Sequence, residues 1–348
     1  MKNKEAKMTE EETKKYTKLF WGISLIPFIL VAALLLLQSE SVLPSVASLD
    51  NPPELQASLI IAKKSVKEDT VIGRFWAVNR TSVKYREISP YVFDALISTE
   101  DERFYSHSGV DFKGLLRSFA SLGRKGGAST ITQQLAKLIY TLRQRQLAEL
   151  ARANGETFDL PLGGFLGKFR RLNEKARENI IAKRLEERFT KEEIITMYLN
   201  QFDFLYNAVG IENASRVYFN KRPRELSKIE AAVLVGMCKN PDLFNPYKYT
   251  IKNYRNKAAD RAGIAPEKVT AAQMAEIRAE DSLRALSRRN QVLFQWLKNS
   301  KGENEGIKNK LTQEEYDRLK AMPIVIQYKS LDHKEGMAPY FRESLRKE

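Results

Sequence analysis

The sequence predicts a mainly α-helical protein that is preceded by one transmembrane helix. Residues 19–38 carry no charge and consist largely of Leu, Ile, Val, Ala and Phe, and about 20 such residues are enough to span a bilayer. Beyond them, apolar residues recur at helical spacing, and helix starts are marked by Ser89-Pro90 and by the capping box Thr190-x-x-Glu193. No clear small-residue cleavage pattern follows the apolar run, which favours a retained anchor over a cleaved signal peptide.

Charge gives the expected orientation. The 348 residues carry a net charge of +15, which favours an anionic partner such as nucleic acid or a membrane surface. Residues 1–18 contain six Lys and four Glu, and the orientation rule counts Lys and Arg, so we expect a cytoplasmic tail there and the remainder outside the membrane. That placement argues against nucleic acid and assigns the basic charge to lipid headgroups and lipid diphosphate.

Residues 39–85 are predicted to be a connector with some strand, and a buried helix follows them. From the start at Ser89, Phe93, Leu96 and Glu100 lie on one helix face at i, i+3 and i+7. Glu100 is therefore the polar end of a buried stripe, and its carboxyl should point into the protein or a cleft. The alternative is that Glu100 and Asp101 simply end a solvated helix.

A second polar feature lies about thirty residues downstream. Gly126-Gly127 allows unusual backbone shapes, and Ser129 is predicted to cap the helix that follows, whose N-terminus would favour an anion. On that helix a polar face is predicted at i, i+3 and i+7. This face consists of Thr130, Gln133 and Lys137. The combination indicates a site for a phosphate or a sugar phosphate.

Between these two features the sequence predicts an amphipathic helix. Its apolar stripe consists of Phe112, Leu115, Leu116 and Phe119, with Lys113, Arg117, Arg124 and Lys125 around it. Such a stripe is typical either of an ordinary surface helix or of a helix that lies in a membrane interface with its basic side on headgroups.

These residues carry a resemblance to a known family. The pattern Glu100-Asp101-x-x-Phe104-x-x-His107-x-Gly109 resembles the first signature of the peptidoglycan glycosyltransferases, family 51, and Gly127-x-Ser129-Thr130-x-x-Gln133-Gln134 resembles the second. This family comprises the glycosyltransferase domains of class A penicillin-binding proteins and the monofunctional transglycosylases. The resemblance implies a lysozyme-like helical lobe with small helices that face the membrane.

A third signature is matched with one departure. Lys175 and Glu178 lie on one helix face together with Ala182 and Leu185, and they match the Lys and the last Glu of that signature. The family's leading Arg is Glu174 here. The possible substitutes are Arg143, Arg145, Arg170 and Arg171.

The resemblance runs from about Val71 to Pro246 and suggests a division of the chain. The predicted parts are a cytoplasmic tail (1–18), a transmembrane helix (19–38), a connector (39–85), a glycosyltransferase domain (86–248), and a charged helical insertion with a linker-like C-terminal segment (249–348). Whether a transpeptidase domain belongs to the same protein is left open.

By resemblance, the reaction is polymerisation of lipid II into β-1,4 glycan strands with inversion and release of undecaprenyl diphosphate. Glu100 would be the general base, and Glu178 would orient a Lys or the sugar or assist through a divalent ion. Substrate binding would fall to Ser129, Thr130, Gln133, Gln134, Lys137 and Lys175, with Asp101, Phe104, His107 and Gly127 as supports. No cofactor is required by the pattern, although a divalent cation, Mg or Mn, is allowed.

The implied partners are lipid II, the growing glycan strand, the membrane and other cell-wall synthases, and nucleic acid is excluded. The implied location is the plasma or inner membrane, with a single span, a cytoplasmic N-terminus and a catalytic domain on the periplasmic side. Two alternatives remain: a lysozyme-like muramidase or lytic transglycosylase, which would also use one Glu, and a non-catalytic cell-wall scaffold.

Overall fold

A computed structural model of the chain describes residues 10–37, 58–65, 68–75, 81–120, 129–142, 170–247, 251–302, 304 and 306–329. The described part is mainly helical, which confirms the predicted class. Its α-helices are α1 (Glu10–Leu37), α2 (Pro90–Glu100), α3 (Phe112–Ala120), α4 (Ile131–Ala136), α5 (Arg170–Arg188), α6 (Lys191–Gln201), α7 (Ile211–Phe219), α8 (Lys228–Cys238), α9 (Ile251–Ala262), α10 (Ala271–Lys301) and α11 (Gln313–Ala321).

The remaining regular elements are short. A π-helix, Lys137–Leu142, continues α4, and 3-10 turns occupy Tyr85–Glu87, Phe104–Ser106, Pro223–Glu225 and Pro266–Lys268. Within the predicted connector, β1 (Ser58–Ser65) and β2 (Glu68–Phe75) form an antiparallel hairpin in which Ser58 pairs with Phe75.

The predicted transmembrane segment coincides with most of α1. Side chains are described there for residues 11–25, and those of residues 26–37 lie outside the described part. Among the helices as far as they are described, none is both long and apolar enough to cross a bilayer.

Helix α2 lies at the centre of the main core. Its residues 92–98 are all buried, and the helix packs against α8 and α10. Ser89 is the N-cap residue, as predicted. Its hydroxyl donates to the Leu226 carbonyl at 2.8 Å instead of capping the helix, so Ser89 ties the start of α2 to the turn before α8.

The second half of α10 belongs to the same core. Val292, Leu293 and Trp296 are fully buried beside α2, and the Trp296 indole donates to the Asn309 carbonyl at 3.0 Å. Residues on both sides of the predicted boundary between 248 and 249 therefore belong to one hydrophobic core. The division into domains stays a prediction.

A buried carboxylate fixes the chain that follows α10. Asp94 of α2 accepts hydrogen bonds from the backbone N–H groups of Lys308 and Asn309, both at 2.9 Å, and from the Asn309 side chain at 2.8 Å. Burial raises the pKa of Asp94, and these hydrogen bonds oppose that change. The segment before α11 is thus attached to the helix that ends at Glu100.

Candidate active site

The site is built around Glu100, the last residue of α2. One carboxylate oxygen, Oε1, accepts from Arg288 Nη2 at 3.0 Å, and the other, Oε2, accepts from Gln134 Nε2 at 3.2 Å. The Gln134 carbonyl in turn accepts from the Tyr198 hydroxyl at 3.1 Å. The Glu100 side chain is 16% exposed. It therefore points into the protein and towards a cleft, as the helical spacing predicted.

Arg288 was not among the predicted site residues. It lies on α10, 188 residues from Glu100, within residues 249–348, which were predicted as a charged helical insertion with a linker-like C-terminal segment. Its side chain is 5% exposed. A buried arginine needs a hydrogen-bond acceptor. An Arg on the apolar side of a helix could therefore have indicated a buried contact, but the sequence does not show which residue accepts from it.

Asp101 connects the first signature to the start of α4. Its carboxylate lies 3.0 Å from His107 Nε2 and accepts the Ile131 backbone N–H at 2.9 Å. Phe104 is fully buried, and Lys191 lies over its ring, 4.6 Å from the centroid. These contacts suit the predicted supporting roles of Asp101, Phe104 and His107, which themselves remain predictions.

The cap of α4 was predicted one residue too early. Thr130, not Ser129, is the N-cap, and it forms a capping box with Gln133. The Thr130 hydroxyl also donates to the Gly109 carbonyl at 2.6 Å. Residues Gly126 and Gly127 lie outside the described part.

Gln133 is buried, and its side chain is hydrogen-bonded within the protein. Its side-chain amide donates to Asn179 Oδ1 of α5 at 2.7 Å, and its carbonyl oxygen accepts the Thr130 N–H at 3.0 Å. Both polar ends of the Gln133 side chain, which was predicted to bind substrate, are therefore engaged within the protein. Gln134 is likewise engaged at both ends, by Glu100 and by Tyr198.

Ser129 is paired with the cation of the third signature. The Lys175 ammonium donates to the Ser129 hydroxyl at 2.8 Å and lies 3.5 Å from Glu178 Oε2. The predicted shared face of Lys175 and Glu178 on α5 is thus confirmed. Glu178 is 1% exposed and also lies 3.3 Å from the Thr141 hydroxyl and 3.4 Å from Arg171.

The charges of Lys175, Arg171 and Lys137 influence one another. Burial lowers the pKa of Lys175, Glu178 opposes that change, and the neighbouring charges of Arg171 and Lys137 lower it further. A phosphate would relieve this mutual repulsion, because an anion favours the charged form of Lys.

Of the possible substitutes for the missing arginine of the third signature, Arg171 is the one whose side chain is described beside Glu178. Arg143 and Arg145, and the side chain of Arg170, lie outside the described part.

An open cleft joins the end of α2 to the start of α4. It encloses about 30 Å³, and the space measures about 270 Å³ when the open solvent at its mouth is included. The described residues that line it are Glu100, Asp101, Glu102, Asp111, Gly114, Arg117, Ser129 and Thr130. Two ion pairs flank it, Glu102 with Arg117, and Arg103 with Asp111. Glu100 and Ser129, the Lys175 partner, thus open onto one space.

Helix α3 beside the cleft carries an exposed apolar surface. Phe112 and Leu116 are 73% and 71% exposed, and Leu115 is 44% exposed. These three residues of the predicted stripe are therefore solvent-facing, which the interface interpretation requires, and the side chain of Phe119 lies outside the described part.

The resemblance to the family allows a divalent cation at the site but does not require one. Across the described ranges, no group of three or more His, Cys, Asp and Glu side chains is arranged to hold a metal ion. A requirement for a divalent cation stays a prediction.

Comparison with known proteins gives the family. The transglycosylase family model matches residues 68–270, more than half of the chain. The chain therefore belongs to the transglycosylase family, the glycosyltransferase domain family of class A penicillin-binding proteins.

Individual relatives agree with this membership. Penicillin-binding protein 2a of Streptococcus pneumoniae serotype 2 (strain D39) is 36% identical over 180 residues, which are 52% of this chain and 21% of that protein. Penicillin-binding protein 1A of Escherichia coli (strain K12) is 30% identical over 313 residues, 89% of this chain and 28% of that protein. The chain thus spans about a quarter of the length of such relatives.

Among solved structures, that of penicillin-binding protein 1A from Haemophilus influenzae is similar at 18% identity, with a TM-score of 0.34 over 80% of this chain and 22% of that one.

Proposed function

We propose that this chain is a peptidoglycan glycosyltransferase that polymerises lipid II into β-1,4 glycan. An acceptor 4-hydroxyl would attack the anomeric carbon of a lipid-linked donor, the carbon–oxygen bond to the diphosphate would break, and undecaprenyl diphosphate would leave with inversion. The carrying observation is that Glu100 and Ser129 line one cleft, while Ser129 lies 2.8 Å from the Lys175 ammonium. The proposed base therefore lines the cleft directly, and the cation is connected to the cleft through Ser129.

Glu100 is proposed as the general base. A base has to reach the proton it removes, and Glu100 is the acid whose carboxylate ends a buried helix at the cleft. Its contacts with Arg288 and Gln134 fix its orientation. The acceptor proton would pass to Glu100 as the new glycosidic bond forms.

The diphosphate is proposed to bind at Lys175, Ser129 and Lys137. Cations placed where the leaving group gains charge stabilise the transition state. Glu178, buried and ion-paired with Lys175, would hold this ammonium in place and is proposed to act through it. Thr130 and Gln134 would shape the donor pocket from the start of α4.

The substrate carries lipid, so the site has to open at a membrane. The exposed Phe112 and Leu116 of α3 support a docking surface next to the cleft. The uncharged run at residues 19–38 supports a single-pass anchor with a cytoplasmic N-terminus and the catalytic part on the outer, periplasmic side.

The deciding experiment incubates the full chain with lipid II and separates the products by gel. Long glycan from the wild type, and none from Glu100→Gln, is the expected result. The exposed Glu225→Gln serves as the matched control. Cleavage of preformed strands without polymerisation would instead establish a muramidase, and unchanged cell-wall synthesis with Glu100→Gln as sole copy would favour a scaffold. Repeating the assay with EDTA tests the Mg or Mn requirement.

A further inference from the structure

A buried arginine from the C-terminal half of the chain contacts the proposed base. We propose that Arg288 is a positioning residue for the reaction: it holds the Glu100 carboxylate in the orientation from which Glu100 accepts the acceptor-hydroxyl proton. This inference rests on the proposed function, and it assigns a role to α10, whose start lies at the C-terminal edge of the family match at residues 68–270.

Arg288 is itself fixed by several contacts. Its Nε donates to the Gly236 carbonyl at 3.2 Å, Nη1 donates to Gln291 at 2.9 Å, and Nη2 donates to Glu100 at 3.0 Å. The Phe244 ring lies 5.7 Å from its guanidinium carbon. The planar fork of an arginine delivers several hydrogen bonds in fixed directions, so the Glu100 oxygen is located relative to α8 and α10.

Close packing keeps Arg288 in this place. A Cβ atom on Gly236 would lie 3.3 Å from Arg288 Cγ, so the glycine leaves room for the arginine stem to pass over α8. With 5% of its side chain exposed, Arg288 has little surface to offer a substrate. Its influence on the reaction therefore acts through Glu100.

The two contacts of Glu100 leave it able to act as a base. A carboxylate has about four lone-pair positions, and Arg288 and Gln134 take one on each oxygen. Positions on the cleft side remain for the substrate hydroxyl. A hydrogen bond to a charged group is also stronger than a neutral one, so the ion pair resists rotation of the carboxylate.

The other titratable groups that face Glu100 do not replace this cation. Burial raises the pKa of Tyr198 of α6 and of Cys238 of α8, and the negative charge of Glu100 raises both pKa values further. Both are thus neutral in the physiological range. The adjacent Asp101 is bound to His107 and to Ile131 N–H. Within the described residues, Arg288 is the charged group in hydrogen-bond contact with Glu100.

The test compares full-chain Arg288→Met, Arg288→Lys and Arg284→Gln with the wild type in the lipid II assay. Methionine keeps an apolar stem and removes the charge, whereas lysine keeps the charge and removes the fork. Arg284 lies one turn away on α10, where it pairs with Glu280 and Asp281, and it provides the matched control. Each protein is measured for kcat, KM and melting temperature.

For Arg288→Met we expect kcat to fall about 100-fold with KM changed less than about threefold, since only the position and charge environment of the base are altered. Arg288→Lys should lose about tenfold in kcat, because it keeps the charge but not the planar fork. Arg284→Gln should match the wild type.

The outcomes separate this inference from the proposed function. A wild type that makes no glycan refutes the proposed function. An active wild type with a folded Arg288→Met that keeps the wild-type kcat overturns the role of Arg288 alone. A rise in KM at constant kcat also overturns it, since that would make Arg288 a substrate ligand. Should Arg288→Met not fold, Arg288→Lys decides, and a kcat within twofold of the wild type overturns the inference.

Discussion

The two glutamates proposed for the reaction are held in opposite ways. Glu178 has local cation partners, because Lys175 and Arg171 lie within two turns of it on α5. Glu100 has a distant one, because Arg288 lies 188 residues away on α10. Glu100 is 16% exposed and lines the cleft, whereas Glu178 is 1% exposed.

This difference assigns different tasks to two residues of the same type. A base has to reach its substrate, and only the carboxylate with access to the cleft can do so. A buried carboxylate that is surrounded by cations orients their side chains and favours their charged forms. We therefore expect loss of Glu100 to affect kcat and loss of Glu178 to affect binding, and the predictions below test that contrast.

The largest effect is expected for Glu100→Gln. Removing the base while keeping the shape should lower kcat by about 10²- to 10⁴-fold, the usual contribution of a general base. Steady-state rates with lipid II measure it, and a fall in kcat of less than fivefold would break the contrast. Exposed Glu225→Gln should leave the rate unchanged.

The attachment of the C-terminal segment to α2 is expected to be the next most sensitive feature. Asp94→Ala should lower the free energy of unfolding by about 3 kcal/mol, because buried donors left without an acceptor cost about 1–3 kcal/mol each. Urea denaturation measures this change. The exposed Asp260→Ala should stay within about 0.5 kcal/mol of the wild type.

The pH dependence of that stability has a definite sign. Burial raises the pKa of Asp94 above 3.8, so the folded state binds the proton more tightly than the unfolded state. The stabilisation that protonated Asp94 gives is complete below about 3.8 and is lost as pH rises through the folded value. In Asp94→Ala the free energy of unfolding should no longer change with pH in this way. If the pH dependence is unchanged by the substitution, it arises from other groups.

Glu178→Gln is expected to weaken binding by about tenfold, seen as a rise in KM, with kcat changed less. Glu178 opposes the burial that lowers the pKa of Lys175, so the variant should lose the Lys charge at lower pH than the wild type. The rise of KM on the basic side should therefore begin earlier. Glu187→Gln, exposed on the same helix, should behave as wild type, and a fall in kcat alone would contradict the contrast.

The smallest effect is expected on α3. Replacing Phe112 and Leu116 with Ser should raise KM for lipid II in anionic vesicles by about threefold, because apolar area that enters the interface is lost. Leu283→Ser, 64% exposed on α10, is the control. Equal effects of both changes would argue against a specific docking surface.

Much of the local structure could be predicted from the sequence. The N-cap position of Ser89, the capping box of Thr190 with Glu193 and the shared helix face of Lys175 and Glu178 were all predicted and are confirmed. These features depend on residues one to four positions apart, whose geometry a helix fixes by itself. The cap of α4 was misplaced by one residue, since Ser129 and Thr130 are chemically equivalent caps.

The long-range contacts were decided only by the tertiary structure. Nothing local to Glu100 indicates Arg288, and nothing local to Asp94 indicates Lys308 and Asn309. Periodicity states that a side chain is buried, but packing alone chooses which distant group meets it. By itself the sequence thus determined the helical class, several of the helix caps and the residue types of the site. The fold decided which cation holds the base, because that contact joins helices far apart in the chain.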